Sequence, residues 1–277
     1  FALLEKYTDA ADLLKAVADA DALIIRSDLV TREVIEAGKK LKIVVRAGAG
    51  YDNIDLPSAT EHKVVAMNTP GQNSNAVAEL AIGMMIYHAR AFFNGKSGFE
   101  LRGKTLGLHA FGYVGKCMAA IAKGFGMQLF AYDPFLSAED IAKEGVTPVA
   151  SAEELYEKCQ YVSLHMPANA KTKLSINHAL LSRMPKGATL VNTARAEVIH
   201  EEDLLRVFEE RPDFVYLSDV APVCKADIEA KYPGRFLFTA KKMGAQTEEA
   251  NTNAGIAAAE QIRDFIVKGD KRFQVNK

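Results

Sequence analysis

The stretch that decides the fold is Thr105-Leu-Gly-Leu-His-Ala-Phe-Gly-Tyr-Val-Gly115. The apolar run Thr105–Ala110 leads into small residues, and a segment with helical spacing, Val114–Phe125, follows. Strand, glycine-bearing turn and helix start, in that order, form the dinucleotide fingerprint GxGxxG. Ala110 stands where the first glycine belongs, and it makes the turn if its φ stays negative. Gly112 lets the backbone approach a pyrophosphate, and Gly115 allows close helix–strand packing. The helix start at Tyr113 and Val114 supplies amide donors and the positive end of the helix dipole. The next apolar run, Leu129–Asp133, ends in an acid 18 residues beyond Gly115 and turns at Pro134. A carboxylate there accepts from ribose hydroxyls and repels a 2′-phosphate, which predicts NAD over NADP. A solvated strand-end acid is the alternative.

The same alternation extends in both directions. Further strand-like runs are Leu23–Ser27, Lys42–Ala47, Val64–Asn68, Tyr161–Met166, Thr189–Ala194, Phe214–Val220 and Phe236–Ala240. Most lack polar alternation, as strands buried on both faces do. Helical spacing lies between and after them, at Thr31–Gly38, Asn75–Arg90, Ser151–Lys158, Glu201–Glu209 and Glu248–Lys268. Ser151 and Glu154 form a capping box, and Ser137 and Thr247 cap acidic first turns. The pattern predicts an α/β chain of two doubly wound parallel-sheet domains. About three strands precede Asn75–Arg90 and about six follow it. The two long helices then connect the domains: residues 1–73 and 247–277 make a smaller one, and 74–246 the dinucleotide-binding one.

Composition excludes other classes. With 277 residues, 49% hydrophobic and 25% charged, the chain is neither disordered nor fibrous. A formal charge of −1 gives no global field to recruit nucleic acid or an anionic membrane. The longest apolar stretch is broken by Glu79, so nothing reads as a bilayer span. Three cysteines, Cys117, Cys159 and Cys224, make no disulfide framework and no zinc spacing, which fits a reducing, cytoplasmic compartment. Phe1 is not Met, so the chain is expected to begin inside a longer product.

Four blocks resemble the D-2-hydroxyacid dehydrogenase family: Ile25-Arg-Ser27 with Val30-Thr31, Arg46-Ala-Gly-Ala-Gly-Tyr-Asp-Asn-Ile-Asp-Leu56, Asn192-Thr-Ala-Arg-Ala196 with Glu201-Glu202, and Met243-Gly-Ala-Gln-Thr-Glu-Glu249. The second block resembles the phosphoglycerate branch most. The resemblance implies a Rossmann-type cofactor domain, a smaller flavodoxin-like substrate domain, a cleft between them and a homodimer. It makes Arg195 the clamp on the substrate's carboxylate and keto oxygen, suited by its planar fork. Ala47, Gly48, Ala49 and Gly50 resemble a turn whose amides hold the carboxylate. Arg26, Ser27, Arg46 and Asn73 match substrate contacts, and Arg26 and Arg46 suit a phosphate. His165, Met166, Pro167, Thr172, Thr193, Ala194, Asp219, Gly244 and Ala245 match positions lining the cofactor. An ion pair is the alternative for Arg46, plain packing for His165, and a helix cap or ion pair for Asp219.

Two positions depart from the family. Lys242 stands where its catalytic histidine belongs, and Cys224 where the partner glutamate belongs; the later acids Asp227 and Glu229 do not fit without a gap. Lysine can replace that histidine as acid/base if burial and a like charge such as Arg195 lower its affinity for the proton; a dead site, with Lys242 a surface lysine, is the alternative. A carboxylate beside it would have the opposite effect, so the two departures agree. The implied activity is NAD-dependent oxidation of D-3-phosphoglycerate, a small phosphorylated 2-hydroxy acid, to 3-phosphohydroxypyruvate. The alternatives are a glyoxylate or hydroxypyruvate reductase, and an NAD(H)-sensing protein of the corepressor type.

Overall fold

The computed structural model describes residues 2–276; Phe1 and Lys277, the end residues of the expected smaller domain, lie outside them. The elements in order are α1 (Ala10–Val17), β1 (Ala22–Ile25), α2 (Arg32–Ala37), β2 (Ile43–Arg46), α3 (Leu56–Glu61) and β3 (Val65–Asn68). Then come α4 (Ser74–Ala89), β4 (Thr105–His109), α5 (Tyr113–Gly124), β5 (Gln128–Tyr132), α6 (Ala138–Lys143), β6 (Thr147–Pro148), α7 (Ala152–Lys158) and β7 (Tyr161–Leu164). Last are α8 (His178–Leu181), β8 (Thr189–Asn192), α9 (Glu201–Glu210), β9 (Val215–Ser218), α10 (Lys225–Lys231), β10 (Phe236–Phe238) and α11 (Glu248–Lys268). The chain divides into two units, Phe1–Asn73 with Gln246–Lys277, and Ser74–Ala245.

In the first unit β1, β2 and β3 lie parallel in that order. Val44 and Ala66 face a core shared with Leu13, Val17, Val34 and Ile35 of α1 and α2. Ile43, Val45, Val65 and Met67 face the other way, onto Ala254 and Ala258 of α11. With both faces covered, the strands need no polar side, which is why they read as unbroken apolar runs. Thr247 caps α11 through the amide of Ala250, and Gly269 ends it at φ +67 in a left-handed cap. The tail then runs back to β3: Asn276 accepts from the Ala66 amide at 2.8 Å and donates to the Val64 carbonyl at 2.8 Å.

The second unit is a seven-stranded parallel sheet, ordered β10-β9-β8-β7-β4-β5-β6. From β4 the chain winds outward to β5 and β6, then crosses to β7 and winds out the other way. The reversal between β4 and β7 is the topological switch point, where open α/β sheets bind ligands beyond the strands' carboxyl ends. One face packs on α4, α5 and α6, with Met84 and Met85 buried; the other packs on α7 to α10. The seventh strand, beyond the six expected, is β6. It has two residues, one of them proline at the sheet edge, too short and too proline-rich to read as a strand.

Among the helix-start signals, the capping box at Ser151 deviates. Ser137 and Ser151 cap α6 and α7 through the amides of Asp140 and Glu154. The returning Glu154 carboxylate takes the Ala150 amide at 2.8 Å, one residue before its place in a capping box. Ser151 has an extended backbone (φ −149), which presents the Ala150 amide to the first turn.

Candidate active site

The glycine loop follows β4 at the switch point. Ala110 has φ +74, against the expected negative value. The turn needs the left-handed region whichever residue fills it, so Ala110 carries strain that glycine would not. A Cβ on Gly112 would meet no heavy atom within 4 Å, so that glycine faces open space. A Cβ on Gly115 would lie 2.8 Å from the Ala110 carbonyl oxygen, so that glycine serves helix–strand packing. Gly112 caps α5 without a side-chain hydrogen bond, so no capping side chain of its own covers the start of this 12-residue helix. Tyr113 is 61% exposed at its start, and Val114 is half-buried behind it.

Asp133 does more than end β5. Its Oδ2 accepts from the Phe111 amide at 2.8 Å, and its Oδ1 from the Phe135 amide at 2.9 Å. The carboxylate thus ties the glycine loop to the turn through Pro134. Each oxygen keeps a second lone pair for a hydroxyl donor.

After β7, the His165 amide donates to the His109 carbonyl at 2.9 Å. Both ring nitrogens of His165 are buried and lack a hydrogen-bond partner among the described residues. Burial, helped by neighbouring His109, pushes His165 down to about 3, and burial takes His109 to about 4. Met166 is buried and Pro167 exposed. Thr172 closes the following loop, donating to the Pro167 carbonyl at 2.5 Å and accepting from the Asn169 amide at 2.8 Å. Thr193, after β8, has a buried hydroxyl without a partner among the described residues.

The proposed chemistry lies at the ends of β8 and β9. Asn192 folds the chain there: its Oδ1 accepts from the Ala194 amide at 3.0 Å, and its Nδ2 donates to the Arg195 carbonyl at 2.9 Å and the Tyr216 hydroxyl at 3.1 Å. That turn fixes the Ala194 carbonyl. Arg195 Nη1 donates to it at 2.9 Å, and Lys242 Nζ at 3.3 Å. Asp219, 1% exposed at the end of β9, accepts with Oδ2 from the amides of Met243 at 3.1 Å and Gly244 at 2.7 Å. Its Oδ1 is buried without a partner among the described residues. A Cβ on Gly244 would lie 3.1 Å from Asp219 Oδ2, so the small residue lets the carboxylate reach two successive amides. Ala245 follows, half-buried.

These observations fit a bound dinucleotide: open space at Gly112, a helix start at α5 with no capping side chain, and Asp219 Oδ1, which has no partner among the described residues. The sequence blocks did not single out Asn192, Tyr216 or Thr239. An amide side chain at a strand end before small residues was the available signal for Asn192.

In the first unit, Arg26 Nη1 donates to the Ala47 carbonyl at 3.1 Å, and Arg46 Nε to the Arg26 carbonyl at 3.1 Å. Arg46 therefore braces the backbone of Arg26, and Arg26 that of Ala47, the residue after Arg46. Gly48 sits beneath Arg46: a Cβ there would fall 1.7 Å from Nη1. Asn68 donates to the Ala49 carbonyl at 2.6 Å, and the Thr69 amide to that of Gly48 at 3.0 Å, which shapes the turn into half-buried Gly50. Ser27 is exposed, and Asn73 is half-buried at the unit's end.

The family's glutamate position is held differently. At Cys224 the backbone is gripped by Glu201, which accepts from the amides of Val223 and Cys224 at 2.8 Å each. Burial and Glu201 push the Cys224 thiol up to about 12, and burial pushes that of Cys159 to about 12, so neither is a nucleophile at neutral pH. Asp227 and Glu229 pair with Lys231 and Lys225 on their own helix.

Residues 58–231 match the NAD binding domain of D-isomer specific 2-hydroxyacid dehydrogenase, and the chain belongs to that family. Among solved structures it is similar to the NAD+-bound 3-phosphoglycerate dehydrogenase of Entamoeba histolytica, at 49% identity and a TM-score of 0.88, over 99% of this chain and 88% of that one. It is 36% identical to D-3-phosphoglycerate dehydrogenase of Methanocaldococcus jannaschii over 92% of its own length and 51% of that protein's. It is also 36% identical to hydroxypyruvate reductase of Thermotoga maritima, over 93% of this chain and 88% of that protein. The chain spans about half the length of several phosphoglycerate dehydrogenases that it matches. Among the described residues, no helix is long and apolar enough to cross a membrane.

Proposed function

We propose that the chain is an NAD-dependent dehydrogenase that oxidises D-3-phosphoglycerate to 3-phosphohydroxypyruvate. The observation that carries this reading is the meeting of Lys242 and Arg195 at the Ala194 carbonyl, which puts a primary amine and a guanidinium at one strand end. Bound NAD supplies the hydride acceptor. The C2 hydroxyl proton passes to Lys242 Nζ as the C2–H pair leaves, and a C2 carbonyl forms. Arg195 holds the carboxylate and the charge developing on that oxygen. In the reverse direction the ammonium is the acid.

Asp133, Gly112, Tyr113, Val114 and Gly115 hold the cofactor's ribose and pyrophosphate end. His165, Thr193, Ala194, Asp219, Gly244 and Ala245 line its nicotinamide end. Arg26 and Arg46 take the phosphate, and Ala47 to Gly50 with Ser27 and Asn73 complete substrate binding. A homodimer in the cytoplasm is part of the same reading.

The match to hydroxypyruvate reductase favours a second reading, in which no phosphate is bound. Steady-state assays of D-3-phosphoglycerate and D-glycerate with NAD separate the two. The first reading expects kcat/KM at least a hundredfold higher for the phosphorylated acid, with Arg46→Ala removing most of that preference. Equal values for the two acids support the reductase.

A further inference from the structure

We infer that Thr239 and Asp219 are positioning residues that clamp the backbone on both sides of Lys242 and so aim its amine; this rests on the acid/base role proposed for Lys242. After β10 the chain carries no helix or strand until α11 starts at Glu248. A lysine in such a segment has no regular hydrogen-bond ladder to fix its Cα, and its own side chain has four rotatable bonds. Side chains that reach the neighbouring peptides supply part of that aim.

Two do so. The Thr239 hydroxyl donates to the Lys241 carbonyl at 2.7 Å. Thr239 is itself fixed, its amide donating to the Ser218 carbonyl of β9 at 3.2 Å. On the other side, Asp219 holds the amides of Met243 and Gly244 through a single oxygen. The peptides before and after Lys242 are thus both tied to the end of β9. The Lys242 amine meets the Ala194 carbonyl beyond the neighbouring strand, β8. Asp219 is nearly inaccessible, so its bonds to the two amides are made in low dielectric, where charge-assisted hydrogen bonds are strong.

A contact with the cofactor accounts for Asp219 Oδ1, which has no partner among the described residues. It does not account for Oδ2, which is spent on the segment that carries the lysine, nor for Thr239. If the clamp works through Lys242, loosening it at Thr239 slows the proton step and leaves cofactor binding alone.

The test compares Thr239→Val and Asp219→Asn, each alone and combined with Lys242→Ala, by NADH formation from D-3-phosphoglycerate. The slow variants are followed in single turnover with enzyme in excess. Losing one such hydrogen bond should lower kcat about fivefold or more in the Lys242 protein. KM for NAD should stay within about twofold for Thr239→Val, and Thr239→Ser, which keeps the hydroxyl, should restore kcat. In the Lys242→Ala background Thr239→Val should change the rate less than about twofold, because the group it aims is gone, and Asp219→Asn should keep only the loss that its cofactor contact causes. Equal losses in both backgrounds overturn the inference while leaving the function standing, as does an unaltered kcat in Thr239→Val. Lys242→Ala with the parent's kcat overturns the function and the clamp together. Thr239 lies at a partly exposed strand end, so its variants carry the test if Asp219→Asn fails to fold.

Discussion

The ammonium of Lys242 and the guanidinium of Arg195 share one acceptor, the carbonyl oxygen of Ala194, at 3.3 and 2.9 Å. Lys242 is an exposed residue, and its amine carries a removable proton that an arginine in its place would lack. Lys242→Ala should therefore lower kcat by about 10² to 10⁴. Lys242→Arg should not restore it, since it keeps charge and reach but loses the removable proton. NAD affinity, measured by fluorescence titration, should be little changed in both. Turnover by Lys242→Arg at the parent's rate would show that charge alone is needed there.

The two remaining glycines of the loop separate ligand space from packing. Gly112→Ala adds a methyl where nothing lies within 4 Å, so the melting temperature should hold while KM for NAD rises tenfold or more. Gly115→Ala drives a methyl to 2.8 Å from the Ala110 carbonyl, so it should cost stability, about 1–3 kcal/mol by the measure of overpacked sites. Thermal melts and NAD titrations of the two variants would show the opposite patterns. A rise in KM confined to Gly115→Ala would contradict the assignment.

Ala110 at φ +74 carries avoidable strain. A left-handed non-glycine residue costs about 1–2 kcal/mol, and glycine returns about 0.5–1 kcal/mol of that as unfolded-state entropy. Ala110→Gly should thus stabilise by up to about 1 kcal/mol, read as a small rise in denaturant midpoint. A lower midpoint would mean that the alanine methyl contributes packing that outweighs its backbone cost.

Three histidines set an acid limit on stability. Burial lowers His88 and His109 to about 4 and His165 to about 3, against about 6.5 when unfolded. Between those values the unfolded chain binds protons that the folded one refuses. Their contribution is therefore complete above about pH 6.5 and is lost as pH falls toward 4. Denaturant melts from pH 7.5 to 4.5 should show stability falling below pH 6.5, and His88→Phe should flatten that slope. An unchanged midpoint across the range would mean that these rings already have their protons.

The sheets were legible because covering both faces leaves strands such as Ile43–Arg46 and Thr189–Asn192 without polar interruption. Thr147–Pro148 was not, being a two-residue edge strand. Gly115 could be read as packing from its place in the fingerprint, whereas the sign of φ at Ala110 could not, since an alanine reveals nothing of the turn around it. Arg195 and Lys242 were legible as candidates through their flanking blocks. Their meeting point was hidden: a backbone carbonyl has no side-chain signature, and Lys242 reaches it from 48 residues away. The ties made by Asp219 and Thr239 escaped notice for the same reason, because they end on peptide groups.

The most direct measurement is a crystal structure of the chain with NADH and 3-phosphohydroxypyruvate bound together. The account predicts Lys242 Nζ within about 3.2 Å of the C2 oxygen, with Arg195 on that oxygen and the carboxylate. A Lys242 amine directed into solvent, with another residue or water at the C2 oxygen, would contradict it.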